Sequence, residues 1–122
     1  MMLQIASYET FKDGQLIFVE GTHGDWMYVV EEGEVEISKN VEGQRVVFEI
    51  LKPGDIFGEL AYIDKEPRSA TAAAKGEAVV GIVDRHFFDK EFNNLSGEFQ
   101  RILKTVALRL RRTTDNAMKV KK

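Results

Sequence analysis

Two charged residues, Glu59 and Arg68, stand nine positions apart in a context that suits the binding of a phosphate. Gly58 comes directly before Glu59 and opens a stretch, running to Ile63, that is compatible with a short helix. The free N–H groups of a first helical turn carry the positive end of the local dipole and stabilise an anion. The pattern therefore indicates an anion site at Gly58, although a single glycine in a β protein more often makes only a turn.

Arg68 follows Pro67 and precedes a run of small residues from Ser69 to Ala74. Small side chains leave space beside the arginine, so its planar guanidinium can project into a cavity and hold one phosphate through two parallel hydrogen bonds. An isolated arginine is more often a surface residue. Its combination with the Gly58 segment favours the phosphate interpretation.

A carboxylate beside a phosphate needs an explanation of its own, because like charges repel. Glu59 can accept hydrogen bonds from a neutral donor such as a sugar hydroxyl, or it can pair with Arg68. The helix dipole alone also favours a glutamate at a helix start. Ser69 can likewise bind a ligand or make a local backbone bond. The residues by themselves leave these alternatives open.

The segments that must position these residues indicate an all-β body. Short apolar or alternating runs are broken by glycine-bearing turns about every 8 to 12 residues, which is typical of a sandwich, jelly roll or barrel. The runs that predict strands cover residues 16–19, 26–30, 35–37, 46–51 and 78–83.

After Asp84 the hydrophobic period changes from that of strands to that of helices. A short amphipathic helix is predicted around three phenylalanines, and a longer one follows with Ser96 as its N-cap. The longer helix carries an apolar stripe at three- and four-residue steps. Leu108 lies off this stripe and is either an ordinary exposed leucine or a dimer or lid contact. The phenylalanines are Phe87, Phe88 and Phe92, and the stripe is Phe99, Ile102, Leu103, Val106, Ala107 and Leu110.

Composition limits the class of protein. The 122 residues suit one compact domain, and the absence of cysteine excludes disulfide frameworks and thiolate metal sites. No stretch predicts a membrane span or a signal peptide, so we expect a cytoplasmic protein. Residues 1–100 hold 9 basic and 19 acidic side chains, whereas residues 101–122 hold 8 basic and 1 acidic. The acidic body argues against broad contact with nucleic acid.

The segment from Phe57 to Ala72, FGELAYIDKEPRSATA, resembles the phosphate-binding cassette of the cyclic nucleotide-binding domain family. That family includes the catabolite activator protein, the regulatory subunits of cAMP-dependent protein kinase and cyclic nucleotide-gated channels. Its cassette reads Phe-Gly-Glu-Leu-Ala, then a short loop, then Pro-Arg-Ser/Thr/Ala-Ala. The likeness runs from about Phe11 to Phe92 and includes a Glu-Gly-Glu-Val turn and a Lys-Pro-Gly-Asp turn.

The resemblance implies a mainly β fold with C-terminal helices: an eight-stranded β-roll or jelly roll with a short cassette helix and a C-terminal lid helix. We expect residues 1–122 to form a single domain, with the roll at about 11–84 and the helices at about 85–116. The last residues, 115–122, are expected to fray.

The same resemblance implies a role for each cassette residue. Arg68 would hold the exocyclic oxygens of the cyclic phosphate, while Glu59 and the Gly58 backbone would hold the ribose 2′-hydroxyl. Ser69 would reach the phosphate or a guanine base, and Leu51, with a residue of the long helix, would contact the purine. Backbone contacts would come from Leu60, Ala61 and Ala70.

The expected function is therefore regulatory: a sensor that binds a cyclic mononucleotide, cAMP rather than cGMP, and relays occupancy through its C-terminal helices to an unknown effector. No enzyme activity, metal, other cofactor, membrane or DNA contact is expected, and the C-terminal helix offers a route to a homodimer. The alternative is a degenerate domain that acts as an interaction module without ligand. A metal-dependent cupin-type enzyme is disfavoured because His23 and His86 are the only histidines, and a helix-turn-helix regulator is disfavoured because no such unit follows the long helix.

Overall fold

The computed structural model describes residues 3–120 and shows antiparallel strands followed by two C-terminal helices. The strands are β1 (Ile5–Phe11), β2 (Leu16–Phe18), β3 (Tyr28–Val41), β4 (Gln44–Leu51), β5 (Ile56–Phe57) and β6 (Thr71–Val83). The helices are α1 (Glu59–Asp64), α2 (Arg85–Asn93) and α3 (Gly97–Val120). The predicted class, mainly β with a short cassette helix and C-terminal helices, is confirmed.

The predicted count of eight strands is wrong, since residues 3–120 form six. β3 continues through Gly33, where the sequence pattern placed a turn between two strands. Gly33 has a φ of 79°, and the pairing with β6 shifts register between Val30 and Glu34. Such an irregularity bends a strand without ending it, so two predicted strands are one bent strand.

The sheet has the order β1-β6-β3-β4, with β2 on β6 and β5 on β3. In the centre, Val35 and Ile37 of β3 lie opposite Ala74 and Ala72 of β6. All four side chains are buried, so the alanine run of the cassette serves as part of the core. The small side chains predicted to leave space for a ligand therefore also belong to the packed core of the sheet.

Three aromatic rings fill the core next to the cassette. The Tyr28 and Phe57 rings stack with centroids 5.2 Å apart, and Phe18 lies 5.9 Å from each of them. Tyr28 and Phe57 also pair between β3 and β5, so this cluster fixes the point at which β5 passes into α1.

The β structure begins at Ile5, earlier than the predicted start near Phe11, because β1 pairs with β6 along its length. At the other end, α3 continues past the predicted end near residue 116. Met118 is buried and Asp115 forms an ion pair, and both interactions hold the last described turns. The fraying predicted for residues 121–122 lies outside the described residues. The single-domain organisation stays a prediction.

The face of α3 that packs on the sheet and cassette shares Ala107 with the predicted apolar stripe but is otherwise a different set of residues. Phe99, Ile102 and Val106 are 61%, 55% and 56% exposed. The less exposed positions recur at steps of four, three and four, which defines a different face of the helix. They are Ala107, Arg111, Thr114 and Met118. No helix within residues 3–120 combines the length and the apolar character needed to cross a bilayer.

We predict that Gly33→Ala destabilises the protein by about 2 to 4 kcal/mol, because the new Cβ meets strain and a clash together. A Cβ there would lie 2.3 Å from the Glu77 carbonyl oxygen. Gly14→Ala is the matched control, since its φ is 80° but nothing lies within 4 Å, and it should cost only about 1 kcal/mol. Urea denaturation measures both, and equal losses would show that the bend at Gly33 tolerates a side chain.

Candidate functional site

Gly58 joins β5 to α1 in a conformation that only glycine adopts readily. Its φ is 82°, and it precedes α1 without any side-chain cap. A Cβ at this position would lie 2.8 Å from the Trp26 carbonyl oxygen and 2.9 Å from Nη1 of Arg68. The glycine therefore brings the start of α1 close to the Arg68 guanidinium.

Arg68 is a buried cation, with only 5% of its surface exposed. Its guanidinium donates from Nη2 to the Trp26 carbonyl at 2.9 Å and from Nη1 to the Gly58 carbonyl at 3.2 Å. Its Cζ lies 4.1 Å from the centre of the Phe18 ring, a cation–π contact. No carboxylate of the described chain lies within 4 Å of it.

The environment of Arg68 thus consists of carbonyl and aromatic dipoles without a paired anion. Burial lowers the pKa of Arg68 from its ordinary value, while Tyr28 and Asp25 partly oppose this effect. An arginine stays protonated even so, which leaves a positive charge in a low-dielectric setting. A buried charge of this kind is stabilised strongly by an anion that can reach it.

Glu59 places a half-buried carboxyl group in the site next to Gly58. Burial, the largest cause, raises the pKa of the Glu59 carboxyl, and the negative charge of Glu49 adds to the rise. Its own backbone N–H and the charge of Arg68 act in the opposite direction. Within the described residues no side chain donates to Glu59, and the direct Glu59–Arg68 pair considered from sequence is not formed.

A cavity of about 340 Å³ brings the predicted site residues together. The apolar part of its lining includes Ile37, Phe48 and Leu110, and the charged part includes Lys39 and Arg111. All eight residues predicted from sequence line it: Leu51, Gly58, Glu59, Leu60, Ala61, Arg68, Ser69 and Ala70. A cavity of this volume, mostly apolar with a few convergent polar groups, suits a small ligand.

Other lining residues were missed from sequence, among them Lys39, Arg111 and Thr114. For Lys39 a signal existed, because strand alternation places it on the same face as Val35 and Ile37. Arg111 and Thr114 belong to the face of α3 that packs on the body, which the apolar stripe concealed. Leu110 of the long helix lines the cavity, and the purine contact expected from that helix stays a prediction.

A second set of contacts joins α1 to α2. The Tyr62 hydroxyl donates to Asp89 at 2.8 Å, and its ring meets Phe92 edge-on at 6.1 Å. Burial raises the pKa of Tyr62, and the bond to Asp89 raises it further. Arg85 pairs with Asp25 as well as Asp89. The contacts of Tyr62 therefore link the cassette helix α1 directly to α2.

Residues 8–94 match the sequence profile of the cyclic nucleotide-binding domain. This segment covers most of the chain and includes every predicted site residue. The chain belongs to the cyclic nucleotide-binding domain family, as the resemblance of residues 57–72 predicted.

Two members of the family show how similar the chain is to known proteins in sequence. The chain is 32% identical over 107 residues to a CRP-like cAMP-activated global transcriptional regulator of Mycobacterium tuberculosis, covering 87% of the chain and 48% of the relative. It is 37% identical over 100 residues to a cGMP-dependent protein kinase of Toxoplasma gondii, covering 82% of the chain and 10% of the kinase. The chain thus spans less than half the length of either relative.

The chain is also similar in structure to two solved proteins that have cAMP bound. An EAL enzyme in its cAMP-bound form superposes with a TM-score of 0.83 at 29% identity, covering 92% of this chain and 30% of that one. The regulatory domain of Toxoplasma gondii PKA with cAMP superposes with a TM-score of 0.65 at 36% identity, covering 84% and 38%. The β-roll fold is shared with both.

We predict that Glu59→Gln raises the melting temperature of the ligand-free protein at neutral pH. A carboxyl whose pKa is raised on folding binds its proton more tightly in the folded state, so its ionised form destabilises the fold at higher pH. The gain should shrink as the pH falls through the raised pKa and disappear below the ordinary value of 4.5. Glu66→Gln, on the exposed loop nearby, is the control. A Glu59→Gln protein that melts at or below the wild-type temperature at neutral pH contradicts this account.

Proposed function

We propose that this chain is a regulatory sensor that binds a cyclic mononucleotide, cAMP in preference to cGMP, in the cavity bounded by α1, residues 67–70 and α3. The observation that carries the proposal is the buried guanidinium of Arg68, which lines this cavity and has no ion-pair partner in the described chain. A cyclic phosphate would supply the missing anion.

Arg68 has donors to spare for a phosphate. A guanidinium carries five N–H donors, of which the bonds to Trp26 and Gly58 use two. Arg68 can therefore bind two exocyclic phosphate oxygens while it remains held by carbonyls, and this fixed geometry reduces the cost of ordering it on binding.

The remaining contacts follow from the composition of the cavity. The carboxylate of Glu59, half-buried and with no side-chain donor among residues 3–120, is suited to accept from the ribose 2′-hydroxyl. Ile37, Leu51 and Leu110 offer apolar surface to a purine. The preference for cAMP is supported by the relatives named for cAMP, while the cGMP-bound form of the EAL enzyme and the Toxoplasma kinase keep cGMP as the competing ligand in any test.

The relay is proposed to be a shift of population. A ligand that binds better when the cassette lies inward increases the population of that conformation. In it, Leu60 has moved with the cassette and the C-terminal helices have repacked over the base. Support comes from the link between Tyr62 and α2 and from Leu110 and Thr114 of α3, which line the cavity. The output would pass to an effector outside this chain, without a reaction of its own, and the cytoplasm is the proposed location.

We predict that Arg68→Ala weakens cAMP binding by at least 100-fold. The lost bidentate contact is worth roughly 3 to 5 kcal/mol, from about 1.5 to 3 per charged hydrogen bond. Arg68→Lys keeps the charge but not the fork and should lose less. Isothermal titration calorimetry measures both.

Arg109→Ala is the control for this titration, because Arg109 is exposed and makes no ion pair in the described chain. Thermal melts of each variant establish that it folds. Wild-type affinity in Arg68→Ala would place the phosphate elsewhere. A folded wild type that binds neither cAMP nor cGMP would favour the degenerate interaction module instead.

We also propose that two copies associate through α3. The exposed residues Phe99, Leu103, Val106 and Leu110 recur at steps of four, three and four, the spacing of a two-stranded coiled-coil seam. A second α3 presents the same seam, so the contact is self-complementary and closes as a dimer.

We predict that Val106→Glu converts this dimer to a monomer, because it places like charges opposite each other in an apolar seam. Thr105→Glu adds the same charge off the seam and should remain dimeric. Light scattering during gel filtration gives the mass of each. A wild-type chain that is monomeric at high micromolar concentration contradicts the association.

A further inference from the structure

The segment that carries Arg68, residues 67–69, is supported from two opposite sides. On one side, the Arg68 N–H donates to the Thr22 carbonyl and the Arg68 carbonyl accepts from the Gly21 N–H, both at 2.8 Å. Successive carbonyls of extended chain point in opposite directions. The carbonyls of Pro67 and Ser69 are accordingly available on the other side, where charged donors of β3 and α3 hold them.

Arg111 of α3 holds the first of these carbonyls. Its Nη1 donates to the Pro67 carbonyl at 2.6 Å, and its Nη2 donates to Oδ1 of Asp64 at 2.9 Å, with Nε bonded to the second carboxylate oxygen. The Asp64 side chain is 1% exposed and the Arg111 side chain is 15% exposed. This is a buried two-pronged pair, and such a pair is costly to break because either partner alone leaves an uncompensated charge.

Lys39 of β3 holds the second carbonyl. Its Nζ donates to the Ser69 carbonyl and pairs with Asp115 of α3 at 2.9 Å, with Glu20 further away at 3.8 Å. Lys39 is buried. Asp115 lies four residues after Arg111, so both side chains project from the same face of α3.

We propose that Arg111 and Asp115, with their partners Asp64 and Lys39, form an ionic clamp that fixes α3 against residues 67–69 and positions Arg68 before any ligand binds. Arg111 and Lys39 bond the two carbonyls that flank Arg68. The clamp therefore sets where the backbone of Arg68 lies and holds α3 against the cassette.

The clamp has a consequence for the binding site that rests on the proposed function. If Arg68 binds a phosphate, release of α3 leaves residues 67–69 less ordered. Part of the binding free energy must then be spent on ordering these residues again. Without the clamp, the backbone hydrogen bonds that remain for residues 67–69 in the described part of the chain are those with Gly21 and Thr22. The competing view is that this turn alone suffices and that the charges on α3 serve only general stability.

Hydrogen exchange of the intact 122-residue chain without ligand separates these views. Arg111→Gln should speed exchange at the amides of Gly21 and Arg68, which are bonded across this segment, and along residues 107–118 of α3, by at least tenfold. Arg109→Gln makes the same change of charge on an exposed part of α3 and should leave these rates within about twofold. Asp64→Asn combined with Arg111→Gln should be no faster than Arg111→Gln alone, because the two residues act as one unit.

A spectroscopic readout distinguishes positioning from stability. The Arg68 guanidinium lies over the Phe18 ring, so its Nε–H resonance in arginine-labelled protein should carry a ring-current shift. Arg111→Gln should move this resonance and Arg109→Gln should not. If Arg111→Gln fails to fold, Arg111→Lys and Asp115→Asn supply the same comparison with milder changes. Unchanged exchange at the Gly21 and Arg68 amides and an unmoved Arg68 resonance in folded variants of Arg111 would overturn the clamp.

Titration with cAMP distinguishes a failure of the clamp from a failure of the proposed binding function. With a functional site, Arg111→Gln should weaken cAMP binding about tenfold while Arg109→Gln binds as the wild type does. If the wild type binds no cyclic nucleotide but Arg111→Gln still loosens α3 and shifts Arg68, the clamp stands and the proposed function fails. If the wild type binds cAMP and Arg111→Gln matches it in exchange, resonance and affinity, the clamp fails and the binding function stands.

Discussion

The interaction on which the site depends is the burial of the Arg68 guanidinium among carbonyls and aromatic rings, with no carboxylate of the described chain paired to it. A carboxylate in that position would neutralise the charge and remove the reason to bind an anion. Two backbone carbonyls and the Phe18 face stabilise the cation only partially, because dipoles do not replace a counterion. The fold therefore keeps a positive charge available at the wall of a cavity.

Much of the surrounding architecture follows from keeping that charge in place. Gly58 lets the start of α1 approach Nη1 of Arg68, where a Cβ would collide. The stacked rings of Tyr28 and Phe57 fix the passage from β5 to α1. The alanines after Arg68 pack into the core and tie the cassette to β3. The same contacts therefore stabilise the sheet and fix the geometry of the site.

The sequence was most informative where local chemistry determines structure. Gly58, Glu59 and Arg68 could be grouped from residue type and spacing, and the structure places them around one cavity, although their ligand contacts stay a proposal. The strand count was not predictable from the glycine pattern, because Gly33 makes a bend within β3 in the way that other glycines make turns. The lining role of Arg111 and Thr114 was hidden for a different reason. Hydrophobic periodicity selects the apolar face of α3, whereas ion pairs and the short side chain of Ala107 decide which face packs on the body.

The central claim is that Arg68 binds the phosphate of a cyclic nucleotide, and the most direct measurement compares cAMP with adenosine on the unmodified protein by calorimetry. The two ligands share the base and most of the sugar, so the difference reports the phosphate. The account predicts one-to-one binding of cAMP and binding of adenosine at least 100-fold weaker, in line with two charged hydrogen bonds. Equal affinities for the two, or no binding of cAMP, would contradict it.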